Sequence, residues 1–79
     1  MKKSIDGTVM EMIPIGTKML ETVGYDEEKR VLAIEFTRGP VYVYSEVPKD
    51  VFEEQLAAPS PDDFFSEKIK NGFANKRVW

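Results

Sequence analysis

The sequence predicts an α+β fold, a three-stranded antiparallel meander followed by two helices packed on one sheet face (β-β-β-α-α). Two observations carry this prediction. Residues 19–47 form three stretches of strand-like character, separated by polar turns at 26–29 and 38–40. From residue 48 onward the apolar spacing becomes helical, and prolines stand at 48 and 61, where helices begin. An extended N-terminal arm precedes the meander.

The three predicted strands cover residues 19–26, 30–37 and 41–47. In the second strand, Leu32, Ile34 and Phe36 share one face, because side chains alternate with a period of two. Gly39 lies in the second turn and is free to adopt a positive φ. Pro48 ends the sheet because it has no N–H to donate.

The first predicted helix covers residues 48–58 and the second begins at Ser60. The inward stripe of the first helix contains Val51, Phe52, Gln55 and Leu56. Ser60 can cap the second helix, with Pro61 at its first position. An Asn-Gly pair at 71–72 ends the second helix.

A chain of 79 residues is predicted to form one small domain, with a tail or arm at residues 1–9 and the domain at 10–79. Residues 8–15 are apolar and extended, but Pro14 excludes a central strand there. Neither a signal peptide nor a stretch of about 20 apolar residues is evident, which predicts a cytoplasmic protein with no membrane partner. The sequence contains no cysteine and no histidine, which excludes the usual zinc, haem and iron–sulfur ligand sets; no cofactor is predicted.

The sequence offers no catalytic constellation. The acidic pairs 27–28, 53–54 and 62–63 consist of sequence neighbours, which diverge by about 100° on a helix. Ser45 and Ser60 have no histidine to activate them, and no glycine-rich phosphate loop is present. These observations predict a protein that is not an enzyme.

The charge balance argues against a strong non-specific grip on nucleic acid. Eleven basic residues stand against 14 acidic ones, a net charge of −3, and no segment forms a basic block. A local basic patch remains compatible with these numbers. Positive charge and aromatic residues interleave only at the C-terminal end. The set contains Lys68, Lys70, Phe73, Lys76, Arg77 and Trp79. The alternative interpretation is a helix end followed by a frayed tail.

Tyr42 and Tyr44 are the most conspicuous pair, since alternation places both rings on one face of the third strand. If Val41, Val43 and Val47 face the helices, the two rings are exposed, which is the geometry that stacks single-stranded bases. If the parity is reversed, the tyrosines belong to the core. The sequence leaves both alternatives open.

The order of these features from residue 10 to residue 78 resembles the KTSC domain, a short module found alone in bacterial and phage proteins and at the C-terminus of some lysyl-tRNA synthetases. The family is known by a YxY motif, which corresponds to Tyr42 and Tyr44. The other matching positions are Ile13-Pro14, Val23-Gly24-Tyr25-Asp26, Leu32 to Phe36, Gly39, Val47-Pro48, Val51-Phe52, Leu56, Ala58, Ser60, Phe64-Phe65, Ile69 and Val78.

The resemblance implies a binding module with RNA as the suggested ligand. One departure from the family pattern bears on that ligand. After Ser60 the family carries a lysine or similar residue, a glycine and a basic residue, whereas this chain has Pro61, Asp62 and Asp63. Two acids at a helix start oppose phosphate contact there.

Two functions are therefore expected. The first is a non-catalytic, nucleic-acid-binding module with a ligand site of Tyr42, Tyr44, Lys68, Lys70, Phe73, Lys76 and Arg77. The alternative is a small phage-encoded interaction protein that self-associates and sequesters a partner protein or a nucleotide-like ligand. Its motivation is apolar area that a core this small does not absorb, at residues 9–15 and at Trp79.

Overall fold

The computed structural model describes residues 2–79 and contains seven strands and two short helices. The strands are β1 (Lys2–Ile5), β2 (Thr8–Glu11), β3 (Ile13–Pro14), β4 (Leu20–Asp26), β5 (Val31–Phe36), β6 (Val41–Tyr44) and β7 (Asn75–Arg77). The helices are α1 (Lys49–Ala57) and α2 (Pro61–Phe64), and a π-helical segment (Phe65–Ile69) continues α2.

The strands form two antiparallel sheets. Strands β3 to β7 make a five-stranded sheet in the order β3-β4-β5-β6-β7, and β1 pairs only with β2. The predicted architecture, a three-stranded meander with two helices and an extended arm, is therefore wrong. Three strands do run at positions 20–44, but further strands flank them, and the N-terminal segment is a hairpin.

The N-terminal hairpin depends on a tight two-residue turn. Asp6 and Gly7 both have positive φ, 50° and 81°, and Ile5 pairs directly with Thr8. This is the geometry of a type I′ turn, whose twist matches that of the flanking strands. Residues 2–11 consequently form a paired ribbon, and the predicted boundary between residues 9 and 10 falls inside β2.

The C-terminal segment forms β7 because its backbone pairs with β6. Tyr42 lies opposite Arg77 and Tyr44 opposite Asn75. The Val78 N–H donates to the Val41 carbonyl at 2.8 Å, and the Val41 N–H donates to the Trp79 carbonyl at 3.2 Å. All three β7 residues are exposed, so this strand carries no alternating apolar pattern. The interpretation of this segment as a frayed tail is wrong for residues 75–77.

The helices cover one face of the five-stranded sheet. The core cluster on this helix face contains Leu20, Val23, Leu32, Ile34, Tyr44, Val47, Phe65 and Ile69. The rings of Tyr25 and Phe52 stack at 5.1 Å and anchor α1 to β4. Gln55 is fully buried, and its Nε2 donates to the Pro61 carbonyl at 3.0 Å, which holds the link between α1 and α2.

The N-terminal hairpin covers the opposite face. The cluster on this hairpin face contains Ile5, Met10, Met12, Ala33, Val41 and Val43. Polar contacts fix the hairpin at several points. Lys3 pairs with Glu35 at 3.2 Å, Asp6 pairs with Lys76 at 3.0 Å, and Lys29 Nζ donates to Thr8 Oγ1 at 2.8 Å. The sheet is thus covered by a second layer on each side.

The parity of β6 is settled by this arrangement. Tyr42 and Tyr44 face the helices, whereas Val41 and Val43 face the hairpin. Val47 lies with the tyrosines, because β6 ends at Tyr44 and Glu46 adopts a positive φ of 57° that redirects the chain. Neither tyrosine lies on an open sheet face.

Candidate functional site

An open pocket of about 530 Å³ lies at the edge of the helix face. It forms where the start of β4, the turn between β5 and β6, and the end of the π-helical segment meet. Its lining residues are Lys18, Met19, Phe36, Thr37, Arg38, Pro40, Tyr42, Tyr44, Phe65 and Lys70. The volume falls within the range of about 300–1,000 Å³ that small-molecule sites occupy.

Four aromatic rings form one continuous edge-to-face chain beside this pocket. Tyr42 contacts Phe36 at 5.7 Å between ring centroids, and Phe36 contacts Phe65 at 5.4 Å. Phe65 in turn contacts Tyr44 at 5.8 Å. The interplanar angles of 75° to 87° place ring edges against ring faces, which the ring quadrupoles favour. The rings support one another and give the pocket a rigid apolar wall.

The two tyrosines differ in what they can offer a ligand. Tyr44 is only 3% exposed, so its ring is part of the core. Burial, with a smaller contribution from Tyr42, raises the pKa of Tyr44 to about 12, and the hydroxyl stays protonated at neutral pH. Within residues 2–79 the Tyr44 hydroxyl makes no hydrogen bond, so it remains able to donate. Tyr42 is half-buried and lies nearer the sheet edge.

Three cationic side chains surround the pocket, each from a different segment. Lys18 precedes β4, Arg38 lies in the turn between β5 and β6, and Lys70 follows the π-helical segment. The lining residues include no carboxylate. The rim is therefore positive although the whole chain has a net charge of −3.

Backbone and side-chain contacts hold these segments together. The Thr37 N–H donates to the Met19 carbonyl at 3.0 Å, and the Thr37 hydroxyl donates to the Lys18 carbonyl at 2.7 Å. The Thr17 hydroxyl donates to the Asp62 carboxylate, which ties the start of α2 to the same loop. Asp62, one of the acids that depart from the family pattern, thus has a structural partner.

The cations of the rim differ from several others in the chain. Lys3, Lys49 and Lys76 each form an ion pair, with Glu35, Glu27 and Asp6 respectively. Among residues 2–79, neither Lys18, Arg38 nor Lys70 has an anionic partner. These three positive charges are consequently available to a ligand.

The predicted site residues fall into separate groups. Tyr42, Tyr44 and Lys70 line the pocket, whereas Lys68 is exposed outside it. Phe73 is half-buried and packs against the helix-face core. Lys76 faces the hairpin and pairs with Asp6. Arg77 lies opposite Tyr42 on the helix face, and its Nε donates to the Trp79 carbonyl at 2.8 Å.

Sequence reasoning missed Lys18 and Arg38. The predicted meander could have placed both residues close together, because antiparallel pairing brings the start of one strand beside the end of the next. The loop before β4 and the turn after β5 therefore meet at one end of the meander, the end where β6 begins with Val41 and Tyr42. The prediction considered positive charge only in the C-terminal segment, and it therefore left out Lys18 and Arg38.

Two other kinds of site find no support in the part of the chain that the structure describes. Residues 2–79 contain no group of three or more Asp or Glu side chains positioned to hold a metal ion. No helix within that range is long and apolar enough to cross a membrane.

The fold and the pocket together define a small antiparallel domain covered on both faces, with a cationic, aromatic cleft at one sheet end. The sequence profile of the KTSC domain matches residues 17–73, and the chain belongs to the KTSC domain family. The resemblance based on the YxY motif is thereby confirmed.

The relatives agree with this assignment. A crystal structure of a KTSC domain protein from Yersinia pestis superposes with a TM-score of 0.83 at 30% identity, over 89% of this chain and 99% of that chain. A protein from Tsukamurella paurometabola is 40% identical over 62 residues, 78% of this chain and 92% of that protein. A lysine–tRNA ligase from Nostoc punctiforme is 36% identical over 55 residues, 70% of this chain but 10% of the ligase.

Proposed function

We propose that this protein is a cytoplasmic, non-catalytic binding module that takes single-stranded nucleic acid at its cationic, aromatic pocket. The observation that carries the proposal is the combination of three unpaired cations with a wall of aromatic rings in a single cleft. Phosphate requires positive charge, and bases require an apolar surface. The pocket supplies both, whereas the chain as a whole is acidic.

A relative adds support from biological context. The Nostoc punctiforme relative is a lysine–tRNA ligase, and the matching segment makes up 10% of its length. The name of that relative specifies a tRNA substrate, so the matching segment is part of a protein that acts on RNA. We propose that the present chain also contacts nucleic acid, and that it does so at the pocket. The exposed sheet face that the tyrosine pair first suggested is not part of this proposal.

A matched pair of lysines tests the proposal. Lys68 and Lys70 are both exposed and stand two positions apart, but only Lys70 lines the pocket. Binding of a labelled single-stranded RNA of about eight nucleotides is measured by fluorescence anisotropy at about 20 mM salt. Lys70→Ala is expected to weaken binding at least about fivefold, because a charge-assisted contact contributes about 1 kcal/mol or more. Lys68→Ala is expected to change it less than about twofold.

Two results would contradict the proposal. The first is the absence of binding at this low salt concentration, where counterion release favours it most. The second is an equal loss in both lysine variants, which would place the contact outside the pocket. Circular dichroism of each variant verifies that the fold is retained.

A second function is supported by the exposed apolar residues. Val9 is 68% exposed and Trp79 is 74% exposed, while Met10 and Met12 of the same hairpin region are buried within the molecule. Self-association through Val9 and Trp79 would cover these two exposed apolar side chains. Sedimentation at about 100 μM tests this second proposal, with Trp79→Ser as the variant; a strict monomer in the unaltered protein would refute it.

A further inference from the structure

The pocket is a single cleft of about 530 Å³ with three cations at its rim. We infer that the recognition unit of this protein is a single nucleotide, with its phosphate among Lys18, Arg38 and Lys70 and its base against the aromatic wall. This inference rests on the proposed function and specifies its ligand.

The first argument is the localisation of available charge. The three unpaired cations of the pocket come from separate segments and converge on one cleft. A protein that binds an extended strand uses a positively charged groove that tracks the phosphate backbone. Of the other cations, Lys3, Lys49 and Lys76 are already bound to carboxylates of this chain. Three of the cations outside the pocket are therefore already neutralised, whereas the three at its rim are not.

The second argument is the limited aromatic area. Two of the four rings in the chain are almost fully buried: Phe65 is 2% exposed and Tyr44 is 3% exposed. Only the half-buried Phe36 and Tyr42 present substantial ring surface at the pocket. Successive bases of a strand need successive accessible rings for stacking. Two adjacent rings already in edge-to-face contact, 5.7 Å apart, offer one apolar surface.

The third argument concerns hydrogen bonding. The Tyr44 hydroxyl has no partner within residues 2–79 and stays protonated, since burial raises the pKa of Tyr44 to about 12. Tyr44 therefore brings a neutral donor to a pocket whose other polar groups are mainly cationic. A base or ribose oxygen accepts from such a donor, whereas an all-carbon apolar ligand would leave it unsatisfied.

The experiment is a ligand-length series on the whole protein. Affinities are measured for a nucleoside, its 5′-monophosphate, the dinucleotide and oligomers up to roughly an octanucleotide. The monophosphate is expected to bind at least about tenfold more tightly than the nucleoside, because the rim cations act on phosphate. A longer oligomer offers more positions at which one nucleotide can enter the pocket, and its affinity is divided by that number. From the dinucleotide to the octanucleotide, this affinity per position is expected to stay constant within about threefold.

The salt dependence gives an independent readout. One phosphate held by the three cations predicts a slope of about −0.7 for log affinity against log salt on single strands, whereas a strand contacted at three phosphates would give about −2. Arg38→Ala is expected to make the slope shallower, and Lys68→Ala is expected to leave it unchanged. Circular dichroism of both variants verifies that the fold is retained.

The outcomes separate the inference from the proposed function. Affinity that rises more than about tenfold from the dinucleotide to the octanucleotide, after division by the number of positions, would overturn the single-nucleotide unit while supporting nucleic-acid binding. Binding of the monophosphate without binding of any oligomer would support the single-nucleotide unit and refute the nucleic-acid proposal. Binding of neither would refute both.

Discussion

The two faces of the five-stranded sheet are built from different side chains and serve different purposes. The helix face carries large aromatic residues, with Tyr44 at its centre against Phe65 of the π-helical segment. The hairpin face carries small residues, and Gly24 lies directly opposite Ala33. Small side chains let a second layer of backbone approach closely, whereas large rings keep the helices at a distance. The aromatic cleft accordingly lies on the helix face.

The comparison also explains why the YxY motif alternates with valines. Along β6, Val41 and Val43 pack beneath the hairpin, and the tyrosines between and after them pack beneath the helices. Every side chain of this short strand is thus buried or half-buried. A strand covered on both faces loses the clean apolar and polar alternation of a half-exposed one. The motif is first a packing arrangement, and Tyr42 gains access to the pocket because it lies near the sheet end.

The largest effect is expected from removing a central ring of the helix face. Phe65→Ala should reduce the free energy of unfolding by about 3–5 kcal/mol, because it opens a cavity between Phe36 and Tyr44. Urea denaturation measures the loss. Leu56→Ala, at a position 36% exposed in α1, is the control and should cost much less. A loss below about 1 kcal/mol for Phe65→Ala would contradict the central role of this ring.

A smaller loss is expected from enlarging a side chain on the hairpin face. A Cβ at position 24 would overlap the Met12 sulfur and lie 3.1 Å from the Glu11 carbonyl oxygen. Gly24→Ala should therefore cost about 1–3 kcal/mol, through displacement of the hairpin.

A double-mutant cycle tests the cause of that loss. In a Met12→Ala background the sulfur is absent, so Gly24→Ala should cost less than it does in the unaltered protein. Equal costs in both backgrounds would show that the close approach of Met12 is not responsible.

A moderate, pH-dependent effect is expected at Glu35, which joins the hairpin to the sheet. The Thr22 hydroxyl donates to Glu35 at 2.8 Å and, with Lys3, lowers the pKa of this carboxyl against the opposing effect of burial. A lowered native pKa stabilises the fold above the unfolded value of about 4.3. That contribution is lost as the pH falls through the native pKa. Glu35→Gln should flatten the acid limb, the fall of the unfolding free energy with falling pH, below about pH 5.

The partners of Glu35 refine this prediction. Thr22→Val removes the largest cause of the lowered pKa and should flatten the acid limb more than Lys3→Gln does. Urea denaturation across the pH series measures both variants. An acid limb of Glu35→Gln parallel to that of the unaltered protein would show that Glu35 does not link hairpin docking to pH.

The smallest effect at neutral pH is expected at Tyr44. Because burial raises its pKa to about 12, one of the three phenols should ionise well after an ordinary tyrosine, which the ultraviolet absorbance of phenolate detects. The unfolded chain releases this proton near pH 10, so stability decreases as the pH rises above about 10. Tyr44→Phe should remove the late phase and cost less than about 1 kcal/mol at neutral pH. Retention of the late phase would assign it to another tyrosine.

Much of the fold centre was readable from local patterns, whereas the flanking strands were not. The alternation of Leu32, Ile34 and Phe36 identified one face of β5, and Pro48 and Pro61 stand at the starts of the two helices. The Asp6-Gly7 pair contained a hairpin signal that a polar, lysine-rich context obscured. Strand β7 gave no local signal, because all three of its residues are exposed and only pairing with β6 makes them a strand.

The candidate site divides in the same way. The sequence identified Tyr42, Tyr44 and Lys70 as candidate ligand-binding residues, because aromatic and basic residue types can be recognised without knowledge of the topology. Lys18 and Arg38 join them only through the pairing of β4 with β5, which brings together segments about 20 positions apart. Lys68 and Lys76, predicted with Lys70, stand elsewhere: one is exposed outside the pocket, and the other is paired with Asp6.

By itself the sequence determined the family, the alternation of the central strands and the absence of cysteine and histidine. Only the tertiary structure decided which face of β6 each residue occupies. A period of two fixes which side chains share a face, but not which layer covers that face. That choice depends on non-local packing, here of the hairpin on Gly24 and Ala33 and of the helices on the rings. Because of this packing, Tyr42 and Tyr44 lie in the aromatic wall of a pocket with a cationic rim, and not on an exposed stacking surface.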